Sequence, residues 1–189
     1  GQELGNFRLL GDIGYQTGAG NYTFVNRPPT ATTPNPFVPG RQESDSSHTD
    51  YGQDMSEWCA NCHVGLLANS VGERKHPAAN TATLGQSGIN LNYNSYVRTG
   101  DLEGTAASAY LALVPFERGT NDPTATNPRS TQGPTSTANV MCLSCHRAHA
   151  SAFPDAGRWD FTVEFIADSH PQDTDAGAQS GDQLNSYYG

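Results

Sequence analysis

Apolar residues occur along this chain in short runs, separated by polar stretches rich in glycine, proline, threonine and asparagine. The most apolar run covers residues 110–116, and its length fits a strand as well as a helix, since Pro115 ends either one. Apolar side chains alternate between positions 159 and 165, which favours a strand. Two shorter apolar pieces, residues 5–10 and 22–25, indicate strands or extended segments.

Turn-forming residues occupy most of the remaining chain. Residues 28–41 are rich in proline and are predicted to be extended, and residues 81–104 are predicted to form turns. Residues 118–135 form a loop that is unusually long for a compact domain. We therefore expect this loop to face a partner or to hold an extended contact.

Two short helices are predicted, over residues 52–65 and 138–150, and each surrounds a pair of cysteines. Their candidate N-caps are Asp54 or Ser56 for the first helix and Ser136 or Thr137 for the second. The predicted fold class is therefore mostly irregular coil, with a few short helices and short strands.

The composition limits the size of the core and the kinds of partner. Only 35% of the 189 residues are hydrophobic, which fits one domain with a modest core. We expect an extended segment (1–50), a core (51–170) and a polar tail (171–189). The net charge of −9 argues against nucleic acid, because phosphate binding needs Lys and Arg. No apolar run reaches the roughly 18 residues of a membrane span.

The four cysteines form two Cys-x-x-Cys-His motifs, the attachment pattern of c-type haem. The two thiols of such a motif form thioethers with the vinyl groups of a porphyrin, and the histidine then binds the iron. We therefore expect two covalently attached haems, and the fold should be organised around them. Their cofactor-binding residues are Cys59, Cys62 and His63 for the first, and Cys142, Cys145 and His146 for the second. Trp58, directly before Cys59, is expected to pack near the porphyrin.

Other uses of two Cys-x-x-Cys pairs fit the sequence less well. A Cys₄ zinc site normally has an insert of about 15–20 residues, whereas Cys62 and Cys142 are about 80 residues apart. A thioredoxin-like redox pair needs a βαβ setting that the pattern does not show. Two disulfides would leave the two histidines unexplained.

The second axial ligand of each iron is expected to be a histidine. Met55 and Met141 are too close to the attachment cysteines to reach across a ring, so bis-histidine, low-potential haems are predicted. His149 lies on the same helical face as His146 and cannot serve the same iron. It is therefore assigned to the haem at Cys59 and Cys62, or to a haem of a neighbouring subunit. His76 is assigned to the haem at Cys142 and Cys145, and the weaker candidates are His48 and His170.

The sequence resembles the extracellular multihaem c-type cytochromes of metal-respiring bacteria. The resemblance is carried by residues 55–63, by Lys75-His76-Pro77, and by residues 142–149, and it covers about half of the chain. It implies that His76 and His149 are distal ligands, in agreement with the geometric argument. Some members of this group polymerise into filaments lined with haems. Residues 5–10 resemble a segment that follows an upstream haem motif in longer relatives.

The preferred function is electron transfer by an extracellular or cell-surface dihaem cytochrome that polymerises with its own subunits. Its partners would be other cytochromes or extracellular electron acceptors. Haem attachment takes place outside the cytoplasm, so we expect a mature chain from which a leader has been removed. The alternatives are a monomeric periplasmic shuttle, a dihaem peroxidase with an open iron site, and a zinc-bound structural protein. The surplus of histidines argues against an open iron site and hence against an enzyme.

Overall fold

The computed structural model describes residues 11–16, 23–34, 43–67, 76–96, 102–148, 151, 153–163 and 169. Its strands and α-helices are β1 (Thr30–Thr32), β2 (Asp50–Gln53), α1 (Met55–Cys59), α2 (Ile89–Ser95) and α3 (Cys142–Cys145). Single 3₁₀ turns cover Gln86–Gly88, Ala106–Ser108, Pro123–Ala125 and Pro154–Ala156. The predicted fold class, mostly coil with a few short helices and strands, is confirmed.

The strands β1 and β2 form a small antiparallel sheet, and isolated backbone pairs continue from it. Ala31 pairs with Tyr51 within the sheet. Tyr51 also pairs with Glu117, and Glu117 pairs with Asn139. Asn139 in turn pairs with Thr83. These pairs bring the segment that leads into α3 close to the segment that leads into α1, although more than 80 residues separate them.

The apolar core is small and largely aromatic. Phe116 and Tyr110 are 2% and 3% exposed, and their ring centroids lie 5.5 Å apart. Tyr93 of α2 packs edge-on against Phe116, and its hydroxyl donates to the Val114 carbonyl at 2.9 Å. The other members of the cluster are Leu84, Ala112, Ala138 and Val140. The apolar run at 110–116 thus supplies the core, but its backbone forms turns and coil instead of the expected strand or helix.

A buried charge network ties the long loop at 118–135 to β2. The carboxylate of Asp50 accepts hydrogen bonds from Arg118 Nε at 2.8 Å and from the Asn127 N–H at 2.7 Å. The Arg118 guanidinium also lies over the Phe116 ring, 4.7 Å from its centroid, and donates to the Gln132 carbonyl. The loop is irregular, as predicted, and it makes its extended contact with its own chain. A contact with a partner stays a prediction.

The first predicted helix is wrong in its extent. It was expected over residues 52–65, but α1 covers only Met55–Cys59. Residues 51–53 pair with β1 instead, and Asp54 has a left-handed backbone with φ of 80° that turns the chain from strand to helix. Asp54 is the N-cap residue, but its side chain makes no capping bond, and Ser56 lies inside the helix.

The second predicted helix is also shorter than expected. It was predicted over residues 138–150, whereas α3 covers Cys142–Cys145 and has Met141 at its N-cap instead of Ser136 or Thr137. Residues 138–140 are extended, because the Ala138 carbonyl accepts from Leu84 N–H and Asn139 exchanges two hydrogen bonds with Glu117. Pairing with distant segments has therefore replaced the local helix.

Two further predictions need correction. The turns expected at residues 81–104 include the helix α2, whose asparagines are weak helix formers and hid it from the sequence pattern. The strand expected over 159–165 is not present in residues 159–163, which form bends and a turn. The Asp160 carboxylate accepts hydrogen bonds from the backbone N–H and the hydroxyl of Thr162, and this local turn competes with an extended strand.

Several expectations concern residues outside those described. They include the extended piece at 5–10, part of the proline-rich segment, the tail after Pro171, His149 and His170. The boundaries at residues 50 and 170 likewise stay predictions. In the part of the chain that the structure describes, no helix has the length and apolar character needed to cross a membrane.

Replacing Asp50 by Ala should destabilise the fold strongly. The carboxylate is 1% exposed, and its removal leaves the Arg118 guanidinium and the Asn127 N–H without their acceptor. Loss of one partner from a buried ion pair costs about 3–5 kcal/mol. Urea unfolding of the variant should show this loss in the free energy of unfolding. Asp122→Ala, which removes an exposed carboxylate that caps the turn at Pro123–Ala125, is the control and should cost much less; equal losses in the two variants would contradict the prediction.

Candidate haem-attachment site

The two Cys-x-x-Cys-His motifs meet in space through the helices that carry them. The backbone N–H of Cys142, the first residue of α3, donates to the Ser56 hydroxyl of α1 at 3.1 Å. Ser56 is fully buried, so this contact is shielded from water. The thiols of Cys59 and Cys142 also lie close enough to shift each other's pKa. Cys142, the first cysteine of the second motif, therefore lies beside Cys59, which is the first cysteine of the first motif and the last residue of α1.

The two thiols shift each other's pKa in opposite directions. The neighbouring Cys59 thiol lowers the pKa of the Cys142 thiol, although burial opposes this shift. The neighbouring Cys142 thiol, and then burial, raise the pKa of the Cys59 thiol well above its ordinary value. Of the two free thiols, Cys142 is therefore the one that ionises more readily. Thioether formation at both sulfurs would abolish this titration.

His146 is held in the orientation that a metal-binding histidine needs. Its Nδ1 lies 2.9 Å from the Asp155 carbonyl oxygen, to which a protonated Nδ1 donates. This bond selects the tautomer in which Nε2 carries the free lone pair. The backbone supports the same arrangement, since the Arg147 N–H donates to the Ala156 carbonyl and the Arg158 N–H donates to the Cys145 carbonyl. Nε2 is therefore the ring nitrogen available to iron.

His76 faces His146. Their ring centroids lie 5.7 Å apart with an interplanar angle of 30°. Two imidazoles on opposite sides of one iron have centroids about 6 Å apart, because each metal–nitrogen bond is about 2 Å long. A hydrogen bond from the Ala79 N–H to the Val140 carbonyl places the His76 segment beside the chain that enters α3. Burial, and then the charge of His146, lower the pKa of His76, which favours the neutral ligand form.

His63 lies on an exposed apolar surface. The side chains next to it, Val64 and Leu66, are 69% and 47% exposed. A cleft of about 430 Å³ borders this surface, and its lining includes Ala60, Val64 and Leu67. An apolar surface of this kind is suited to cover a porphyrin tethered at Cys59 and Cys62, so the residues present fit the group.

Asn61, inside the first motif, was missed by the sequence reasoning. It is fully buried, and its Oδ1 accepts hydrogen bonds from the Val25 and Asn26 N–H groups, each at 2.9 Å. Its Nδ2 donates to the Asn26 carbonyl at 2.9 Å, and Asn26 Nδ2 donates to the Glu57 carbonyl. The segment at 25–26 therefore fastens the loop between Cys59 and Cys62.

Trp58 packs on the N-terminal part of the described chain. Its indole N–H donates to the Gly11 carbonyl at 3.2 Å, and its ring lies edge-on to Phe24 at 6.5 Å. Trp58 thus holds the chain that precedes the motif. The expected contact with a porphyrin stays a prediction.

His48, a weaker ligand candidate, lies in the core. Its ring stacks on Tyr110 at 3.6 Å, and its Nε2 is 3.9 Å from an Asp50 carboxylate oxygen. Burial lowers the pKa of His48. Both ring nitrogens are enclosed by protein atoms, which leaves little space for an iron beside them. The contact set fits a packed core histidine better than a ligand.

Three other residues lie near the second motif and were not predicted to do so. Phe161 lies edge-on to His146 at 5.4 Å, and Trp159 packs edge-on to Phe161. Arg158 is buried and donates from Nε to the Leu143 carbonyl, which supports the loop between Cys142 and Cys145. The aromatic pair was visible in the pattern but was read as a strand; nothing in the sequence marked Arg158.

The arrangement does not suit the zinc alternative. Among the residues that the structure describes, which include all four cysteines, no group of three or more potential ligands converges on one point. In the sequence, each Cys-x-x-Cys pair is followed directly by its own histidine.

Comparisons with known proteins match this chain to a c-type cytochrome and to its filament structures. The C-type cytochrome OmcS of Geobacter sulfurreducens is 44% identical over 178 residues, which cover 88% of this chain and 40% of that protein. A filament structure of outer membrane cytochrome S from the same organism matches with a TM-score of 0.68 over 82% of this chain and 40% of its own, at 44% identity. OmcS nanowires match with a TM-score of 0.73 over 94% and 48%, at 39% identity.

No protein-family model matches the chain. The chain spans less than half the length of the relatives that it matches. The resemblance to the extracellular multihaem c-type cytochromes is nevertheless confirmed, because both the sequence and the fold of this chain match.

Replacing Asn61 by Ala should loosen the first motif. The variant loses three hydrogen bonds at a buried site, each with a net worth of about 1 kcal/mol, so we expect a loss of about 2–4 kcal/mol. Urea unfolding of the haem-loaded protein, followed by haem absorbance, measures it. Asn92→Ala, at an exposed position of α2, is the matched control. Unchanged stability of the Asn61 variant would show that the segment at 25–26 does not hold the loop.

Proposed function

Because this chain belongs with the extracellular multihaem c-type cytochromes, we propose that it transfers electrons through two covalently attached haems, one on each motif. The observation that carries this proposal is the contact between the two motif helices, in which the Cys142 N–H donates to the Ser56 hydroxyl, three residues before Cys59. Groups tethered at Cys59 and Cys142 are held close together, as electron transfer between them requires. When bound, haem supplies the one-electron chemistry of its iron.

The chain's own residues bind and orient the two groups. His63 and His146 serve as the proximal ligands, and Asp155 keeps the Nε2 lone pair of His146 free. His76 serves as the distal ligand opposite His146, supported by their 5.7 Å separation. His149 serves the haem at Cys59 and Cys62, or one in a neighbouring subunit. With two histidines on each iron, the haems have low potentials and no open position for peroxide.

The protein works outside the cell or at its surface, and its subunits polymerise into a haem-lined filament. The relatives named for filaments and nanowires support this assignment. Electrons pass to and from other cytochromes or extracellular acceptors. A soluble periplasmic shuttle is the alternative, and the filament relatives favour the polymer over it. The same relatives favour an electron carrier over an enzyme. Residues 1–189 act as one dihaem unit.

Replacing His76 by Ala should convert one of the two haems from low-spin to high-spin. The variant loses the imidazole opposite His146 and leaves the thioethers intact. Resonance Raman and electron paramagnetic resonance spectra report the spin state of each iron. His48→Ala is the control, because its ring nitrogens are enclosed in the core. Two low-spin haems in the His76 variant and a high-spin haem in the His48 variant would reverse the assignment.

The native protein should elute from a size-exclusion column at very high mass when it is followed at the Soret wavelength. Negative-stain electron microscopy of that peak should show fibres. A coloured peak at the mass of a single chain would instead establish the monomeric shuttle. A colourless peak would remove the haem assignment itself.

A further inference from the structure

Glu117 is a carboxylic acid enclosed where the two motif-bearing segments meet. Its side chain is fully buried. Its Oε1 accepts a hydrogen bond of 2.6 Å from the N–H of Met55, the first residue of α1. Its backbone exchanges two hydrogen bonds with Asn139, three residues before Cys142. One ionisable group therefore contacts both segments that lead to a haem.

The second carboxyl oxygen of Glu117 is not compensated. Oε2 is buried and has no hydrogen-bond partner among the described residues. Burying an ionised carboxylate with an unpaired oxygen is costly, whereas the protonated acid carries no charge. The Met55 N–H thus stabilises the carboxylate of Glu117, whereas its buried, unpaired Oε2 favours the neutral acid.

The charges around Glu117 are mainly negative. Glu57 of α1 and Asp54, its N-cap residue, both face it. Cys142 faces it from α3 and would carry no charge once it forms a thioether. Arg118, the adjacent cation, turns its guanidinium towards Asp50 instead. Burial, and secondarily the acidic neighbours, raise the pKa of Glu117 to about 7, although the Met55 N–H opposes this.

The remaining neighbours of Glu117 change this balance little. Tyr51 of β2 pairs with this segment through its backbone, by accepting the Arg118 N–H at 2.8 Å. Burial raises the pKa of Tyr51 to about 12, so its hydroxyl is neutral in the range where Glu117 titrates. Arg158, the other buried cation, acts on Tyr51 and Cys145.

We propose that Glu117 takes up a proton when electrons enter the haems and releases it when they leave, so that electron transfer through this chain is coupled to proton transfer. This inference rests on the proposed dihaem function. On reduction, one electron from an external one-electron donor converts a ferric iron to a ferrous iron. One proton from solvent then converts the Glu117 carboxylate to the acid, and oxidation reverses both steps.

The sign of the coupling follows from electrostatics. An added electron removes one positive charge from an iron, so the carboxylate loses an attraction and binds its proton more tightly. A unit charge about 12 Å away in a protein changes a proton affinity roughly tenfold. For a one-electron couple, a tenfold change corresponds to about 59 mV. The midpoint potentials should therefore fall as pH rises through the neutral range, and should level off on either side.

The test is a spectroelectrochemical titration of the haem-loaded protein between pH 5 and 9, combined with redox-difference infrared spectra of protein labelled with ¹³C-glutamate. Reversible haem redox is scored first, because its absence would reject the proposed function. Reduction near neutral pH should then produce a protonated-carboxyl band that shifts with the label. Unlabelled 5-aminolevulinate is supplied during expression, because bacteria otherwise build haem from glutamate and would label its propionates. The label then separates glutamate side chains from haem propionates, which are the other carboxyl groups able to bind a proton.

Two variants identify the residue. Glu117→Gln keeps an oxygen that can accept the Met55 N–H, but it should remove the labelled band and flatten the potential against pH. Glu117→Asp keeps an acid and should also remove the glutamate-labelled band, which decides the question if the Gln variant fails to mature. Glu103→Gln, at an exposed glutamate, should retain both signals. A pH-dependent potential with a label-insensitive band, or a labelled band that survives at Glu117→Asp, would overturn the proposal.

Discussion

The hydrogen bond from the Cys142 N–H to the buried Ser56 hydroxyl is the contact on which the rest of the site depends. It fixes the start of α3 against the second residue of α1, and all four cysteines of the two motifs lie on these helices or just after them. Each helix is then fastened separately to the remaining chain. Ser144 of α3 donates to the Pro115 carbonyl at 2.6 Å, and Glu117 accepts the first N–H of α1.

This arrangement explains why the protein can have so little regular structure. Its largest fully buried side chains include charged or polar groups as well as apolar ones, among them His48, Asp50 and Asn61. Asp50 and Asn61 accept hydrogen bonds from backbone groups of distant loops. These bonds hold distant parts of the chain together, as a sheet or a long helix does in other proteins. Such polar contacts specify one geometry when their partners are present, because leaving a buried polar group unpaired is expensive. A coil-rich chain can thus hold a defined shape around its motifs.

The sequence was most informative where covalent chemistry sets the spacing. The positions of His63 and His146 follow directly from their motifs, and His76 was placed opposite His146 by eliminating the other histidines. The lengths of the helices could not be obtained in this way. Residues 138–140 have the composition of a helix start, but their backbone pairs with Leu84 and Glu117, which lie 20 or more residues away. Asn61 gave no signal either, because a short polar residue between two motif cysteines looks like a spacer.

The long stretch between the motifs costs less than its length implies. The entropy of closing a loop grows only with the logarithm of its length, so doubling the insert adds about 0.6 kcal/mol. Contacts within the insert offset part of this cost. The Ala79 N–H donates to the Val140 carbonyl, and Thr83 pairs with Asn139, so the insert is joined to the segment that enters α3. With covalent attachment, the fold would not need a closed pocket to retain its cofactors, because thioether bonds would hold them. The exposed apolar surface around Val64 and Leu66 is consistent with such an arrangement. The tether and a few buried polar contacts would then set the position of each cofactor, and the cofactor would cover the apolar surface that the chain leaves exposed.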